Sequence, residues 1–146
     1  MKKIIILSLI LLTSALTISA KEIAKNTDTN MKLTEVAGVF SITGEGGVLV
    51  IGNEQTTREF FNSASKAFDK NLINNILNLD NDKYELQKDD KGYYLIKIGV
   101  GGVKLRSSDA RLFAAVMNAR DIKKAVHQAK DNVKEVIKNL KDSDEE

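Results

Sequence analysis

The chain has 146 residues, with 22 Lys and Arg against 20 Asp and Glu, a single His, and no Cys, Pro or Trp. Without cysteine there can be no disulfide, thiolate metal site or thiol catalysis, and one histidine cannot build a multi-histidine metal centre. The charge balance lacks the clear basic excess that marks a dedicated nucleic-acid binder, so no nucleic acid is expected as a partner.

Residues 1–20, MKKIIILSLILLTSALTISA, read as a secretory signal peptide. Lys2 and Lys3 form the positive start, Ile4 to Leu12 the apolar core, and small Ala20 the residue before the cleavage point. Even stretched from Ile4 to Ile18, the apolar run is shorter than the roughly 20 residues a spanning helix needs, which favours cleavage over retention as an anchor. The mature product is then expected in the periplasm or outside the cell. Cleavage leaves 126 residues, enough for one domain with a core of its own, and a charge of 20 bases against 20 acids.

Lys21 to Lys32 lack both hydrophobic periods and read as a flexible lead before a single domain over 33–141. Val36 to Ile42 and Val48 to Ile51 flank Thr43-Gly44-Glu45-Gly46-Gly47 as a β-hairpin. Thr56 with Glu59 forms a capping-box pattern, and Phe60, Ala64, Ala67, Phe68, Ile76 and Leu79 recur at helical spacing, predicting a helix over 57–79. Asp80-Asn81-Asp82 breaks it. Lys83 to Lys88 and Tyr93 to Ile98 flank Asp89-Asp90-Lys91-Gly92 as a second hairpin. Gly99 to Gly102 then bend the chain before a short strand over 103–106. Ser107 or Ser108 caps a long last helix from about residue 108, with Asp109 at its positive N-terminal end. Asp142-Ser143-Asp144-Glu145-Glu146 is an acidic tail.

Two glycine segments, Gly44-Glu45-Gly46-Gly47-Val48 and Gly99-Val100-Gly101-Gly102-Val103, each follow a strand and precede a helix opening, Arg58-Glu59-Phe60 and Arg111-Leu112-Phe113. An internal duplication of strand, turn, strand and helix, or coincidence, accounts for this. The expected fold is α+β: a small antiparallel sheet of two hairpins with two helices on one face, the C-terminal one long and amphipathic.

No catalytic, cofactor or metal site stands out. Asp80-Asn81-Asp82 opens like a calcium loop but has Glu85 where the glycine belongs and Lys91 where the glutamate belongs. Neither glycine segment carries a full phosphate-binding motif. His127 reads as a polar residue on a basic helix flank. Tyr84, Tyr93 and Tyr94 read as cross-strand packing.

The last helix carries the sharpest pattern. At about 100° per residue, Ile122, Val126, Ala129, Val133, Val136, Ile137 and Leu140 form one apolar arc, and Lys123, Lys130, Lys134 and Lys138 lie on a basic arc beside it. From Lys104 to Lys141 there are ten bases and four acids, against −4 in the tail. The expected function is that of an exported, non-catalytic binding or interaction protein. Its interaction residues are Lys123, Lys130, Lys134, Lys138, Val133, Val136 and Leu140. The helix either folds back on its own domain, pairs with a protein partner or a second copy, or docks on an anionic membrane surface. The alternatives are a small exported hydrolase using Glu45, Asp80, Asp82 and Tyr84, and a structural envelope component.

Overall fold

The computed structural model describes residues 20–70, 76–79, 82–99 and 102–144; apart from Ala20, the expected signal segment lies outside them. Strands β1 (Ala20–Lys25), β2 (Lys32–Val36), β3 (Val39–Gly44) and β4 (Gly47–Gly52) pair in chain order as an antiparallel meander, followed by helix α1 (Glu54–Asp69). The order then repeats. Strands β5 (Ile76–Leu79), β6 (Asp82–Asp89), β7 (Gly92–Lys97) and β8 (Leu105–Arg106) form a second meander, and helix α2 (Ser107–Asp144) ends it. The class is α+β, with two antiparallel sheets in place of the single small sheet expected.

Both expected hairpins are present, as β3–β4 and β6–β7. Four strands lie beyond them, of which β8 falls within the short strand expected over 103–106 and β1, β2 and β5 alter the picture. Residues 21–32, expected as a flexible lead, instead build β1 and a tight turn. That turn is held because the Asn26 amide donates to the Met31 carbonyl at 2.8 Å and Met31 sinks into the core. Its apolar residues are too few to show a period, so pairing with β2, not pattern, makes the strand. The helix expected over 57–79 ends at Asp69, and Ile76-Leu77-Asn78-Leu79 forms β5 against β6. A short apolar run of this kind satisfies helix and strand spacing equally. The start of α1 also differs. Asn53, not Thr56, is the cap, its side chain accepting from the Thr56 amide at 2.8 Å.

Alternation along the strands decides what is buried. In the first sheet Leu33, Phe40, Ile42 and Leu49 point inward, while Val48 and Val50 face water. The second sheet contributes Tyr84, Leu86, Leu95 and Leu105. Between them α1 inserts Phe60, Phe61, Ala64 and Phe68, and α2 inserts Ala110, Phe113 and Met117, in one continuous core. The Phe61 and Phe113 rings stand 5.2 Å apart where the helices meet, and Phe60 packs at 5.4 Å on Tyr84.

Two connections tie the halves together. At the first turn of α2, Asp109 is fully buried. One of its oxygens accepts from the Arg106 amide at 3.0 Å, a capping-box bond closing the helix start; the other accepts from the Asn26 side chain at 2.7 Å and from the Thr29 hydroxyl. This fixes the β1–β2 turn to the last helix. At the second connection the glycine segments, each lying between the third and fourth strands of its half, meet backbone to backbone. A Cβ added to Gly46 would lie 1.6 Å from the Gly102 carbonyl oxygen, and one added to Gly102 would lie 2.7 Å from that of Gly46. With φ of +95° and +105°, both positions also favour glycine by conformation.

Candidate interaction helix

Helix α2 has 38 residues and so is about 57 Å long. Only its first turns are packed: from Asp121 to Ser143 every residue is exposed. The helix therefore leaves the body near Asp121, makes its last ion pair with the body at Lys124, and runs on from there without a described tertiary contact for about 30 Å.

A collar of polar contacts fixes the exit. Asn118 and Asn62 exchange amide hydrogen bonds at 2.9 and 3.1 Å. The Arg120 guanidinium reaches Glu54 at 3.0 Å and Glu35 at 3.3 Å, and lies over the Phe40 ring. Lys124 also grips Glu54, and Arg58 pairs with Asp121 at 2.8 Å. The Lys124 ammonium, joined by Arg120, holds the Glu54 carboxyl below its usual range against the opposing effect of partial burial. Single surface ion pairs contribute little, but four contacts within two helical turns set the direction in which α2 points.

The sides of the helix can be followed through this exit. In the packed turns, Ala110, Phe113, Ala114 and Met117 face the core. Continued past the body, that side becomes Asp121, Gln128, Asn132, Glu135 and Asn139, which are polar. The apolar arc of Ile122, Val126, Ala129, Val133, Val136, Ile137 and Leu140 is centred about 130° around the helix from the core side. Its large members are about half exposed or more, from 48% at Ile137 and 49% at Val126 to 64% at Ile122. The hydrophobic stripe is thus a new surface, turned away from the protein's own body. Full burial of each such side chain would contribute roughly 1.5 to 3 kcal/mol relative to leaving it in water.

Every interaction residue expected from the sequence lies on this projecting stretch. Val133, Val136 and Leu140 are in the stripe, and Lys123, Lys130, Lys134 and Lys138 flank it, with no ion pair among the described residues. Ile122, Val126 and Ile137 extend the stripe to both ends. The fold-back of α2 onto its own domain is not adopted, because the collar directs the helix outward and the stripe starts on the wrong side. His127 is exposed and touches only Asp131, one helical turn on, at 3.4 Å.

The residues of the hydrolase alternative are engaged separately. Glu45, at the β3–β4 turn, stands 3.9 Å from Lys104, Asp82 pairs with Lys97 at 3.0 Å, and Tyr84 is packed on Phe60; Asp80 lies outside the described residues. Among the described residues the most strongly perturbed carboxylate belongs to Asp89. The Arg106 guanidinium, bonded to both its oxygens, holds it far below the usual range, with the Lys91 amide and Lys104 assisting. This is a structural clamp from the β6–β7 turn to β8. Among the described residues no group of three or more His, Asp or Glu side chains is placed to hold a metal, and no helix is long and apolar enough to cross a membrane.

The chain matches no family model, no curated protein and no solved structure.

Proposed function

We propose that this chain is an exported, non-catalytic interaction protein that presents the outer part of α2 to a partner. The observation that carries the reading is the phase of the stripe: seven apolar side chains on a helix whose own body lies on another side. A surface of this size stays in water only at a cost, and folding of the body gives nothing back for it. Export is supported by the segment at 1–20. Cleavage after Ala20 would remove one exposed residue of β1 and none of the described core.

Two measurements test the reading. Intact mass of the protein recovered after export should begin at Lys21; a product retaining Met1 in the membrane fraction would defeat the export half. At a concentration where the parent chain is monomeric, the double substitution Val133→Asp with Leu140→Asp should leave the thermal midpoint of the body unchanged, because neither residue touches it. A loss of several degrees would mean that the stripe is packed on its own domain, and the interaction half would fall.

A further inference from the structure

We propose that the partner of the stripe is a second copy of this chain, lying antiparallel, with the acidic tip of each α2 against the basic root of the other. The inference rests on α2 being an interaction element and adds the identity and direction of what it meets.

The spacing of the stripe comes first. Ile122, Val126, Ala129, Val133, Val136 and Leu140 alternate by four and three residues, the seam of a two-helix coiled coil, with Ile137 beside it. In a parallel pair each residue meets itself, so Ala129 faces Ala129 and leaves a thin layer. In an antiparallel pair centred near Asp131, Ile122 meets Leu140, Val126 meets Val136 and Ala129 meets Val133. Every seam residue then has an apolar counterpart, and the small alanine sits opposite a larger side chain.

Charge points the same way. The root carries Lys123 and Lys130, with Arg120 and Lys124 shared with Glu54 of the body, while the end of the chain carries Asp142, Asp144, Glu145 and Glu146. Parallel pairing sets the four acids at the end of one chain beside the four of the other. Antiparallel pairing brings Asp142 alongside Arg120 and its neighbours Lys123 and Lys124, where opposite charges attract. The geometry of the exit also permits it. Because the stripe lies about 130° from the side that faces the core, a partner helix approaches clear of the body. The overlap from Ile122 to Leu140 is about 28 Å, and its half-exposed side chains from two copies offer on the order of 1,000 Å², the size at which specific interfaces begin.

The test uses the purified chain, whose lack of cysteine allows single spin labels to be attached at Asp131→Cys or Lys138→Cys, two positions on one outward side of the pair. Sedimentation velocity should show a monomer–dimer equilibrium in the micromolar range, and Val133→Asp with Leu140→Asp should raise its dissociation constant at least about 100-fold. In the dimer the labels at Asp131 should lie side by side, and those at Lys138 about 21 Å farther apart along the axis. Equal separations at both positions would mean a parallel pair and overturn the inference. A protein that stays monomeric throughout also overturns it. If that monomer sediments with vesicles of phosphatidylglycerol and phosphatidylcholine, and ceases to when Lys123, Lys130, Lys134 and Lys138 become Gln, the helix docks on lipid. The broader interaction reading then survives without the second copy.

Discussion

Replacing Gly46 by alanine should be among the most damaging single changes in this protein, although it adds one methyl group at a hairpin turn. The new Cβ would lie 1.6 Å from the Gly102 carbonyl oxygen and 2.3 Å from its carbon, contacts that no side-chain rotation relieves. One of the two turns must move by about 2 Å to restore van der Waals distance. The move endangers the Lys104 amide bond to the Glu45 carbonyl at 3.3 Å, a loss of about 1 kcal/mol. Alanine at φ +95° adds about 1 to 2 kcal/mol of backbone strain. With the packing disturbed beside the turn, the total comes to about 4 kcal/mol, near the upper end for a single substitution. Gly47→Ala supplies the control. Its φ of +131° is also strained, but nothing lies within 4 Å of the added carbon, so only about 1 to 2 kcal/mol is expected. Gly102→Ala, at 2.7 Å from the Gly46 oxygen, should fall between them. Urea unfolding followed by tyrosine fluorescence reads the body through the buried Tyr84 and Tyr94 without interference from the projecting helix. If Gly46→Ala and Gly47→Ala differ by less than about 1 kcal/mol, the two glycine segments do not cross as described.

Two further outcomes are expected. Asp109→Ala leaves the Thr29 hydroxyl and the Arg106 amide without their acceptor and the Asn26 side-chain amide with only the Ser108 hydroxyl, so it should cost about 3 kcal/mol in the same assay; a cost below 1 kcal/mol would show that the β1–β2 turn is not tied to α2. Asp89 has its carboxyl held below the unfolded value of about 3.9, so its clamp on Arg106 stabilises the fold above that pH and weakens as pH falls from there toward the folded value. The stability difference between the parent and Asp89→Asn should therefore be constant near neutrality and shrink below about pH 4; a difference that persists unchanged at pH 3 would refute the assignment.

The sequence disclosed the elements with strong local signals. Glycine turns between β-branched runs marked β3–β4 and β6–β7, and the spacing of Phe60, Ala64, Ala67 and Phe68 marked the buried side of α1. What stayed hidden was held by partners. Strand β1 has few apolar residues and exists through pairing with β2 and the anchoring of Asn26 on Asp109, 83 positions away. The sequence over 70–79 carries apolar residues at spacings that suit either helix or strand. Phe60, Phe61 and Phe68 are all buried, although a one-sided helix would leave one of them out; α1 has core on more than one side. The projecting stripe was visible as a pattern, but its direction, back onto the body or away from it, stayed open. The apolar period shifts phase between Met117 and Ile122, a sign that the two stretches face different neighbours.

Within each half of the molecule, every strand pairs with the next in sequence, across turns as short as two residues. Contacts of this kind close small loops, which form in microseconds and sacrifice little chain entropy. Long-range links such as the helix–helix core, the Asp109 anchor, the polar collar and the glycine crossing join one half to the other. Folding is thereby divided into local assembly of two meanders and a later docking step, and the rate of that step depends on how readily two bare backbone turns find each other. Side chains at Gly46 or Gly102 would obstruct the encounter itself, slowing folding as well as weakening the folded state.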